Sequence, residues 1–243
     1  MNYIKKILKK ILRTINWKLV KIRRKKPSDY VYSAPKKEWV NSILESNGII
    51  HIGAHRGSEA PIYNWFNKKV IWLEANPELF DDLEDNINDY YNQKAYLSLL
   101  GEKTIYNKKF YVSNKDASCS SVFNFSESVR NKKLWAEHNL KMDKVLSLNM
   151  ITMDNFAQKN NLDISNYDLW IIDVQGSEIQ VLKGAIESLK KCNNIIVEIS
   201  KKQFYENGST NWMDLKEFLN RNGFKNLEEP TEDHCDVLFS RTN

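Results

Sequence analysis

The chain has 243 residues, 42% of them hydrophobic, which is long enough and apolar enough for one α/β domain plus an appendage. Its three cysteines, Cys119, Cys192 and Cys235, include no Cys-x-x-Cys pair, which argues against a disulfide framework or a zinc ribbon and favours a reducing cytosol. Residues 1–26 hold eleven Lys or Arg and no acid, so subtracting their +11 from the formal net charge of +5 leaves −6 on residues 27–243.

Residues 1–26 are predicted to form a basic amphipathic helix. Ile and Leu recur at helical spacing from Ile4 to Ile22, Lys and Arg take most of the remaining surface, and Trp17 lies beside the apolar stripe. Such a segment can lie on an anionic membrane without spanning it, with each basic residue near the surface contributing about 1 kcal/mol. We therefore expect a cytoplasmic protein held peripherally at the inner face of the membrane.

Other interpretations of this segment stay open. Lys interrupts its apolar positions every few residues, which argues against a secretory signal, and its excess of Lys and lack of Ser argue against a mitochondrial presequence. The acidic balance of the remaining chain argues against an extended nucleic-acid track, so no nucleic-acid partner is expected. The apolar stripe could instead pack on the domain of the same chain. It could also pack on a second copy of the chain, and the protein would then be a homo-oligomer.

Residues 27–47 are predicted to be a linker followed by a lead-in helix, and residues 48–243 to form the main domain. The run from Gly48 to Ile52 has the short apolar character of a buried parallel strand. Gly53 and Gly57 then allow a tight turn and close approach by a ligand, and Ser58 is the expected N-cap of the next helix.

The second apolar run, residues 70–73, ends in Glu74, 21 residues after Gly53. At this place a doubly wound sheet presents an acid to the two hydroxyls of a ribose, so the pattern predicts a nucleoside site. The loop lacks the middle glycine of Gly-x-Gly-x-x-Gly, which disfavours a dehydrogenase and suits a cofactor without phosphates, such as S-adenosylmethionine.

The middle of the chain is predicted to carry an insert at residues 113–145. A helix from Pro77 to about residue 90, a third strand at 95–100 and a hairpin arm at 104–112 precede it. Six serines lie within residues 113–128, before an expected helix that carries Trp135 and His138. A polar loop of this length is typical of a lid or an acceptor-binding segment. Phe123, Phe125 and Trp135 could stack on an acceptor or simply anchor the insert.

The C-terminal half is predicted to complete the sheet. The buried strand 169–172 ends in Asp173, and the strand 195–197 runs into Glu198, so the two carboxyl groups are expected to face one crevice from adjacent strands. The remaining predicted elements are a strand at 145–152, helices at 154–161, 177–192 and 211–222, and a final antiparallel strand at 236–240. These elements indicate an α/β fold with a mostly parallel sheet.

Four motifs in this order resemble those of the FkbM-type methyltransferases, and the resemblance covers roughly residues 48–240. They are His51-Ile-Gly-Ala-His-Arg-Gly57, Leu73-Glu-Ala-Asn-Pro77, Thr152-Met-Asp154 and Ile172-Asp-Val-Gln-Gly-Ser-Glu178, the last followed by Leu182-Lys-Gly-Ala185. The resemblance implies a Rossmann-like class I methyltransferase fold, S-adenosylmethionine as cofactor, and a hydroxyl acceptor on a sugar or another glycan-like or natural-product molecule. His51 departs from the pattern, because many members place an acid there.

The resemblance also implies roles for individual residues. Gly53 and Gly57 would frame the methionine part of the cofactor, Glu74 would hold the ribose hydroxyls, and Asp173 would lie nearest the sulfonium. Asn76 would lie beside the ribose or adenine, and Ser98 and Leu99 would flank the adenine. The full cofactor-binding set is His51, Gly53, His55, Gly57, Glu74, Asn76, Ser98, Leu99 and Asp173.

Methyl transfer to a hydroxyl also calls for a general base, which typically contributes ~10²- to 10⁴-fold in rate. Asp173, Glu198 and His55 are the catalytic candidates, with His51 as a further one, and the sequence does not choose among them. His51 and His55 are four residues apart, but the strand and Gly53 between them make a shared metal unsuitable, so no metal site is predicted. Asp173 with Glu198 could still hold a divalent cation.

The expected function is therefore S-adenosylmethionine-dependent O-methylation of a sugar hydroxyl in a cell-surface glycan or glycolipid precursor. One alternative is a methyltransferase for a small-molecule or peptide acceptor. Another is a membrane-recruited, non-catalytic module that binds a nucleoside.

Overall fold

The structure is a computed structural model that describes residues 37–206, 209–227, 229–230 and 232–242. The predicted basic helix and the linker up to Pro35 lie outside the described residues. The helices are α1 (Lys37–Glu45), α2 (Ala60–Trp65), α3 (Pro77–Ile87), α4 (Glu127–Arg130), α5 (Met153–Lys159), α6 (Glu178–Lys183), α7 (Ile186–Leu189) and α8 (Trp212–Arg221). The strands are β1 (Gly48–Ile52), β2 (Lys69–Glu74), β3 (Gln93–Leu97), β4 (Leu99–Leu100), β5 (Ile105–Ser113), β6 (Met142–Ile151), β7 (Leu169–Ile172), β8 (Asn194–Ser200), β9 (Phe224–Asn226) and β10 (His234–Arg241).

Seven strands form the main sheet in the order β3-β2-β1-β7-β8-β10-β9. All neighbouring pairs from β3 to β8 are parallel, and β10 is antiparallel to both β8 and β9. The chain runs outward from β1 to β3 on one side and from β7 outward on the other. This confirms the predicted Rossmann-like α/β fold, whose ligands bind where the strand order reverses, here between β1 and β7.

The central strands are apolar because helices cover both faces of the sheet. Every residue of β1 is buried, and so is almost all of β7. Alternate residues of β1 point into two different hydrophobic clusters: Ile50 joins Trp170 on one face, and Ile49 joins Trp72 on the other. Burial on both faces explains why these strands show continuous apolar runs instead of alternation.

A second, three-stranded sheet extends from the carboxyl end of the main sheet in the order β4-β6-β5. β5 pairs antiparallel with β6, so the predicted arm at residues 104–112 and the predicted strand at 145–152 are two halves of one ribbon. The segment between them, residues 114–141, is the insert.

Several predicted elements differ in the structure. The predicted third strand is divided into β3 and β4. The helix expected at 177–192 breaks into α6 and α7 at Gly184, where a Cβ atom would lie 2.1 Å from the carbonyl oxygen of Gly101, and Asp154 accepts hydrogen bonds from the amides of Glu187 and Ser188 at the start of α7. The helix expected around Trp135 is wrong: the insert holds α4 and a 3-10 turn at Ala136–His138.

One expected cap and one expected helix start also differ. Helix α2 begins at Ala60, and the Ser58 hydroxyl donates to the Glu59 carboxylate instead of capping the helix. Helix α5 is capped by Thr152, whose hydroxyl accepts from the amide of Asn155, so Asp154 lies inside its first turn.

Candidate active site

The loop after β1 is held against both neighbouring strands. The amides of Gly53 and Ala54 donate to the carbonyl oxygen of Leu73 at 2.9 and 3.0 Å. Gly53 has φ of +87°, and a Cβ atom there would lie 1.7 Å from the carbonyl oxygen of Asp173. Only glycine fits this position, because it tolerates the positive φ and has no atom to meet the opposite strand end.

The strand register brings the predicted acids together. Ile52 at the end of β1 is paired with Leu73 on one side and Ile172 on the other, so Glu74 and Asp173 come directly after its two partners. Ile172 is in turn paired with Val197, which sets Asp173 beside Glu198. The carboxyl ends of three parallel strands, β2, β7 and β8, therefore each present an acid at one edge of the sheet.

Glu74 is buried but not without partners. Its two carboxylate oxygens accept from the amides of His55 and Asn76 at 2.8 and 2.7 Å, and the residue is 6% exposed. Burial raises the pKa of Glu74 to about 7, although those amide hydrogen bonds act in the opposite direction. Each oxygen retains a second lone pair, so the side chain can still accept hydrogen bonds from a diol.

A cavity lies over this edge of the sheet. Its floor is the Gly53 loop and its walls include Glu74 and Asp173, and the insert supplies the side opposite the sheet. Apolar side chains line one part of it, and these are Leu79, Leu99, Phe110 and Val122. An apolar slot beside an acid at a strand end suits the base and the ribose of a nucleoside.

The predicted cofactor residues divide into two groups by position. His51, Gly53, His55, Glu74, Ser98, Leu99 and Asp173 line the cavity, whereas Gly57 and Asn76 do not. The Gly57 turn packs on the side chain of Leu83, and Asn76 is the N-cap of α3, where its side chain accepts from the amide of Glu78 at 3.1 Å.

His51 is held as a neutral side chain. Its ring stacks on Trp72 with centroids 4.8 Å apart, and its Nδ1 lies 3.3 Å from the hydroxyl of Tyr63. Burial lowers the pKa of His51 and raises the pKa of Tyr63, so both side chains are neutral. The contact with Tyr63 engages Nδ1 of His51, whichever of the two groups donates.

His55 ties the glycine loop to the insert. Its Nε2 lies 3.0 Å from the carbonyl oxygen of Asp116, which can only accept, and 3.2 Å from Nη1 of Arg56, which can only donate, so the tautomer decides which of the two contacts is a hydrogen bond. The neighbouring Arg56 forms ion pairs with Asp116 at 3.0 Å and Asp82 at 3.1 Å. These contacts tie Asp116 of the insert to the loop after β1.

Asp173 and Glu198 form a linked carboxyl pair. The side-chain amide of Gln175 donates to an oxygen of each, at 2.6 Å to Asp173 and 2.7 Å to Glu198. Burial, followed by the repulsion between neighbouring acids, raises the pKa of Asp173 well above its usual range and the pKa of Glu198 to about 8. The pair therefore retains a proton at neutral pH, as two close carboxyl groups in a buried site commonly do.

Four further residues surround this pair, and the sequence analysis assigns no role to any of them. They are Gln175, Tyr205, His234 and Glu178. The Tyr205 hydroxyl donates to Gln175 Oε1 at 2.7 Å, which fixes the amide with its NH₂ toward both acids. His234 Nε2 lies 3.0 Å from Glu198 Oε1. Glu178, which is 2% exposed, accepts from the amide of Gly176 at 2.8 Å, and burial raises its pKa to about 7.

Some of these residues carry a signal in the sequence. Gln175 lies two positions after Asp173 at a strand end, in the most specific of the four motifs. Tyr205 and His234 are distant in sequence and reach the site only through the fold.

Neither a metal-binding cluster nor a disulfide bond is found in the described part of the chain. No group of three or more His, Cys, Asp or Glu side chains there is arranged to hold a metal ion. The three cysteines are all free. None of the helices described is both long enough and apolar enough to cross a membrane.

Comparison with known proteins gives one family match. The model of the Methyltransferase FkbM domain matches residues 51–225, from the end of β1 to β9. A comparison with curated proteins gives no significant match.

Three solved structures with a similar fold are distant from this chain in sequence. A SAM-dependent methyltransferase from Aquifex aeolicus has 9% identity and a TM-score of 0.45, with 84% of this chain and 87% of that chain covered. A putative tRNA (m1A22) methyltransferase from Streptococcus pneumoniae has 10% identity and a TM-score of 0.44, with 86% and 71% covered. The magnesium protoporphyrin IX methyltransferase from Synechocystis with bound SAM has 11% identity and a TM-score of 0.42, with 84% and 74% covered.

Proposed function

This chain is a member of the FkbM methyltransferase family, and from that premise we propose that it methylates a hydroxyl group of a sugar in a cell-surface glycan or glycolipid precursor. The main sheet has the strand order of the class I methyltransferases, and S-adenosylmethionine is the cofactor. The finer part of the proposal, O-methylation of a sugar, has its support in the carboxyl pair at the sheet edge.

The cavity residues suit this cofactor. Glu74 keeps free lone pairs for the ribose hydroxyls, and the apolar slot around Leu99 and Phe110 suits the adenine ring. Asp173 lies at the switch point of the sheet, where the negative charge of the Asp173–Glu198 pair would favour a bound cation. When bound, S-adenosylmethionine supplies an electrophilic methyl group on a positively charged sulfur.

The single observation that carries the hydroxyl assignment is the buried pair of Asp173 and Glu198 bridged by the Gln175 amide, in which burial raises the pKa of Glu198. A sugar hydroxyl is a weak acid, so its oxygen becomes an effective nucleophile only as a base removes the proton. A carboxylate with a pKa near 8 is a stronger base than an exposed one, and that pKa lies close to the working pH. An amine acceptor, once neutral, would not need this base.

The chain's own residues then have defined tasks. Glu198 accepts the hydroxyl proton at a carboxylate oxygen, and Gln175 keeps Glu198 and Asp173 in fixed positions. Tyr205 prevents the Gln175 amide from turning over, because burial raises the pKa of Tyr205 and so retains the proton that its hydroxyl donates to the amide oxygen. The insert covers the cavity and limits the access of water.

Transfer of a labelled methyl group tests this proposal. The protein is incubated with methyl-labelled S-adenosylmethionine and a panel of free and lipid-linked oligosaccharides. We expect label that survives mild alkali and is recovered in a methylated monosaccharide after acid hydrolysis, because a methyl ether resists both treatments. Label released by alkali would indicate a methyl ester and contradict O-methylation of a hydroxyl. Label recovered only with small molecules or peptides would favour the alternative acceptor class.

The membrane part of the proposal depends on residues 1–26 and their basic character. We propose that this segment holds the enzyme at the inner face of the membrane, where lipid-linked precursors would be accessible. The full chain should sediment with vesicles that contain about 30% anionic lipid. Lys9→Glu with Lys10→Glu should lower the partition coefficient onto these vesicles at least ~tenfold, since each basic residue contributes about 1 kcal/mol. The matched control reverses two exposed lysines of the insert, Lys132 and Lys133, and should bind as wild type does. Equal binding of both variants would contradict this role.

A further inference from the structure

A second cleft lies next to the cofactor cavity, on the far side of the carboxyl pair. Glu198 and His234 line it together with aromatic side chains, and Gln175 lines both the cleft and the cavity. We propose that this cleft receives the pyranose ring whose hydroxyl is presented to Glu198. The inference rests on the proposed function, because it assigns a place to the acceptor of that reaction.

The position of the cleft suits an acceptor. The amide of Gln175 joins Asp173, which lines the cofactor cavity, to Glu198, which lines the cleft. A hydroxyl that reaches Glu198 from the cleft therefore lies one side chain away from the cofactor cavity. For transfer, the hydroxyl oxygen must come within about 3 to 3.5 Å of the methyl carbon, so the acceptor has to reach past Gln175 into the cofactor cavity.

The walls of the cleft are aromatic. The rings of Trp135 and Phe204 have centroids 4.1 Å apart, and His234 meets Trp135 edge-on at 5.3 Å. Tyr205 is stacked on Phe125 at 5.6 Å behind them. A pyranose ring presents apolar C–H groups on its faces and hydroxyls around its edge, so aromatic walls with a few polar groups suit it.

Polar groups also line the cleft. Glu198 accepts from His234 Nε2, and Lys202 and Thr210 also line the cleft. His234 Nδ1 is buried and has no hydrogen-bond partner within the described residues. Leaving a buried polar atom unpaired costs about 1 to 3 kcal/mol. A sugar hydroxyl that reaches this nitrogen would remove that cost.

Trp135 closes the cleft and is the wall best able to move. Its ring packs directly on Phe204, so the cleft has a volume of only about 20 Å³, room for about one water molecule. A sugar ring can therefore enter only if the indole turns aside. Trp135 lies next to a single 3-10 turn in the insert and is half-buried, whereas Phe204 and Tyr205 are 5% and 7% exposed. The indole is therefore both a wall of the site and a reporter of its occupancy.

The simpler explanation is that these aromatic rings only anchor the insert. Phe125, Phe204 and Tyr205 do form a small hydrophobic cluster with Val129. Anchoring alone predicts that a Trp135 substitution changes stability, without any effect on a ligand. The cleft position beside a buried base is not explained by anchoring.

The test is binding of methyl hexopyranosides, measured by saturation-transfer-difference NMR with S-adenosylhomocysteine present. We expect transfer to at least one pyranoside in wild type, and at least a tenfold weaker affinity in Trp135→Ala. His234→Gln, whose amide can still donate to Glu198, should weaken binding by loss of the ring. Trp65→Ala is the matched control, because Trp65 is 85% exposed on α2 and should leave binding unchanged.

Binding of S-adenosylhomocysteine separates a failure of this cleft from a failure of the proposed function. Its affinity should stay within twofold in Trp135→Ala, because Trp135 does not line the cofactor cavity. If wild type binds S-adenosylhomocysteine but no pyranoside, or if Trp135→Ala and His234→Gln bind pyranosides as well as wild type does, the cleft is not the acceptor site. If wild type fails to bind S-adenosylhomocysteine, the proposed function itself fails, whatever the pyranosides do.

Discussion

Glu198→Gln should lower the rate of methyl transfer by ~10²- to 10⁴-fold, the usual contribution of a general base. The amide cannot accept the hydroxyl proton, while its size and its hydrogen bond with Gln175 are close to those of the native side chain. Glu198 does not line the cofactor cavity, so the dissociation constant of S-adenosylmethionine should change no more than about threefold. Single-turnover assays with calorimetry measure both quantities. Glu187→Gln, the same change at an exposed position on α7, is the control and should be fully active.

The pH dependence of the same variant tests the identity of the base. Because burial raises the pKa of Glu198 to about 8, kcat/KM of wild type should rise with pH and level off above that value. Glu198→Gln should lose this rise. An unchanged rise in the variant would assign the base to another group, and Asp173 would be the next candidate.

Protein stability gives an independent check with a defined sign. A carboxyl whose folded pKa is raised contributes stability below its unfolded pKa, near 4.5, and that contribution is lost as pH rises through about 8. A tenfold difference in proton affinity between the folded and unfolded states corresponds to about 1.4 kcal/mol. Glu198→Gln should therefore be at least as stable as wild type at pH 8, with a weaker fall in unfolding free energy between pH 5 and 8. Loss of activity in a stable variant cannot then be attributed to misfolding.

Glu74→Ala should weaken binding of S-adenosylmethionine by at least ~100-fold. Hydrogen bonds to a charged group contribute about 1.5 to 3 kcal/mol each, and a ribose offers two hydroxyls. The substitution also leaves the amides of His55 and Asn76 without an acceptor, which loosens the loop. Isothermal titration measures the loss, and circular dichroism checks that the variant is folded.

A cofactor analogue separates the ribose contact from the loop contact. S-adenosylhomocysteine without its 2′-hydroxyl should bind wild type more weakly than the complete molecule. In Glu74→Ala the two ligands should bind almost equally, because the partner of that hydroxyl is gone. If the variant still discriminates between them as wild type does, Glu74 does not contact the ribose.

The sheet and its acids could be predicted from the sequence because both depend on local rules. Apolar runs bounded by glycine indicate buried parallel strands, and an acid directly after such a run lies at the ligand-binding edge. Glu74, Asp173 and Glu198 follow from this reasoning, and the structure brings the last two within reach of one amide.

The features that could not be predicted depend on contacts between distant segments. The break between α6 and α7 has its cause in the approach of Gly101 to Gly184, 83 positions later in the chain. The orientation of Gln175 depends on Tyr205. His234 reaches Glu198 because β10 begins at His234, two residues before the predicted strand start, and pairs with β8 from there. The helix predicted around Trp135 does not form, because the aromatic side chains of the insert pack on one another and on residues 204–205 and not along one face of a helix.

The most direct test of the central claim is calorimetric titration of the full-length wild-type protein with S-adenosylmethionine and, separately, with NAD. We predict micromolar binding of S-adenosylmethionine and no detectable binding of NAD, because the cavity has an acid for a ribose but lacks the glycine pattern that brings a backbone close to a pyrophosphate. Failure to bind S-adenosylmethionine, or a preference for NAD, would contradict the methyltransferase account and remove the basis for the roles of Glu74, Asp173 and Glu198.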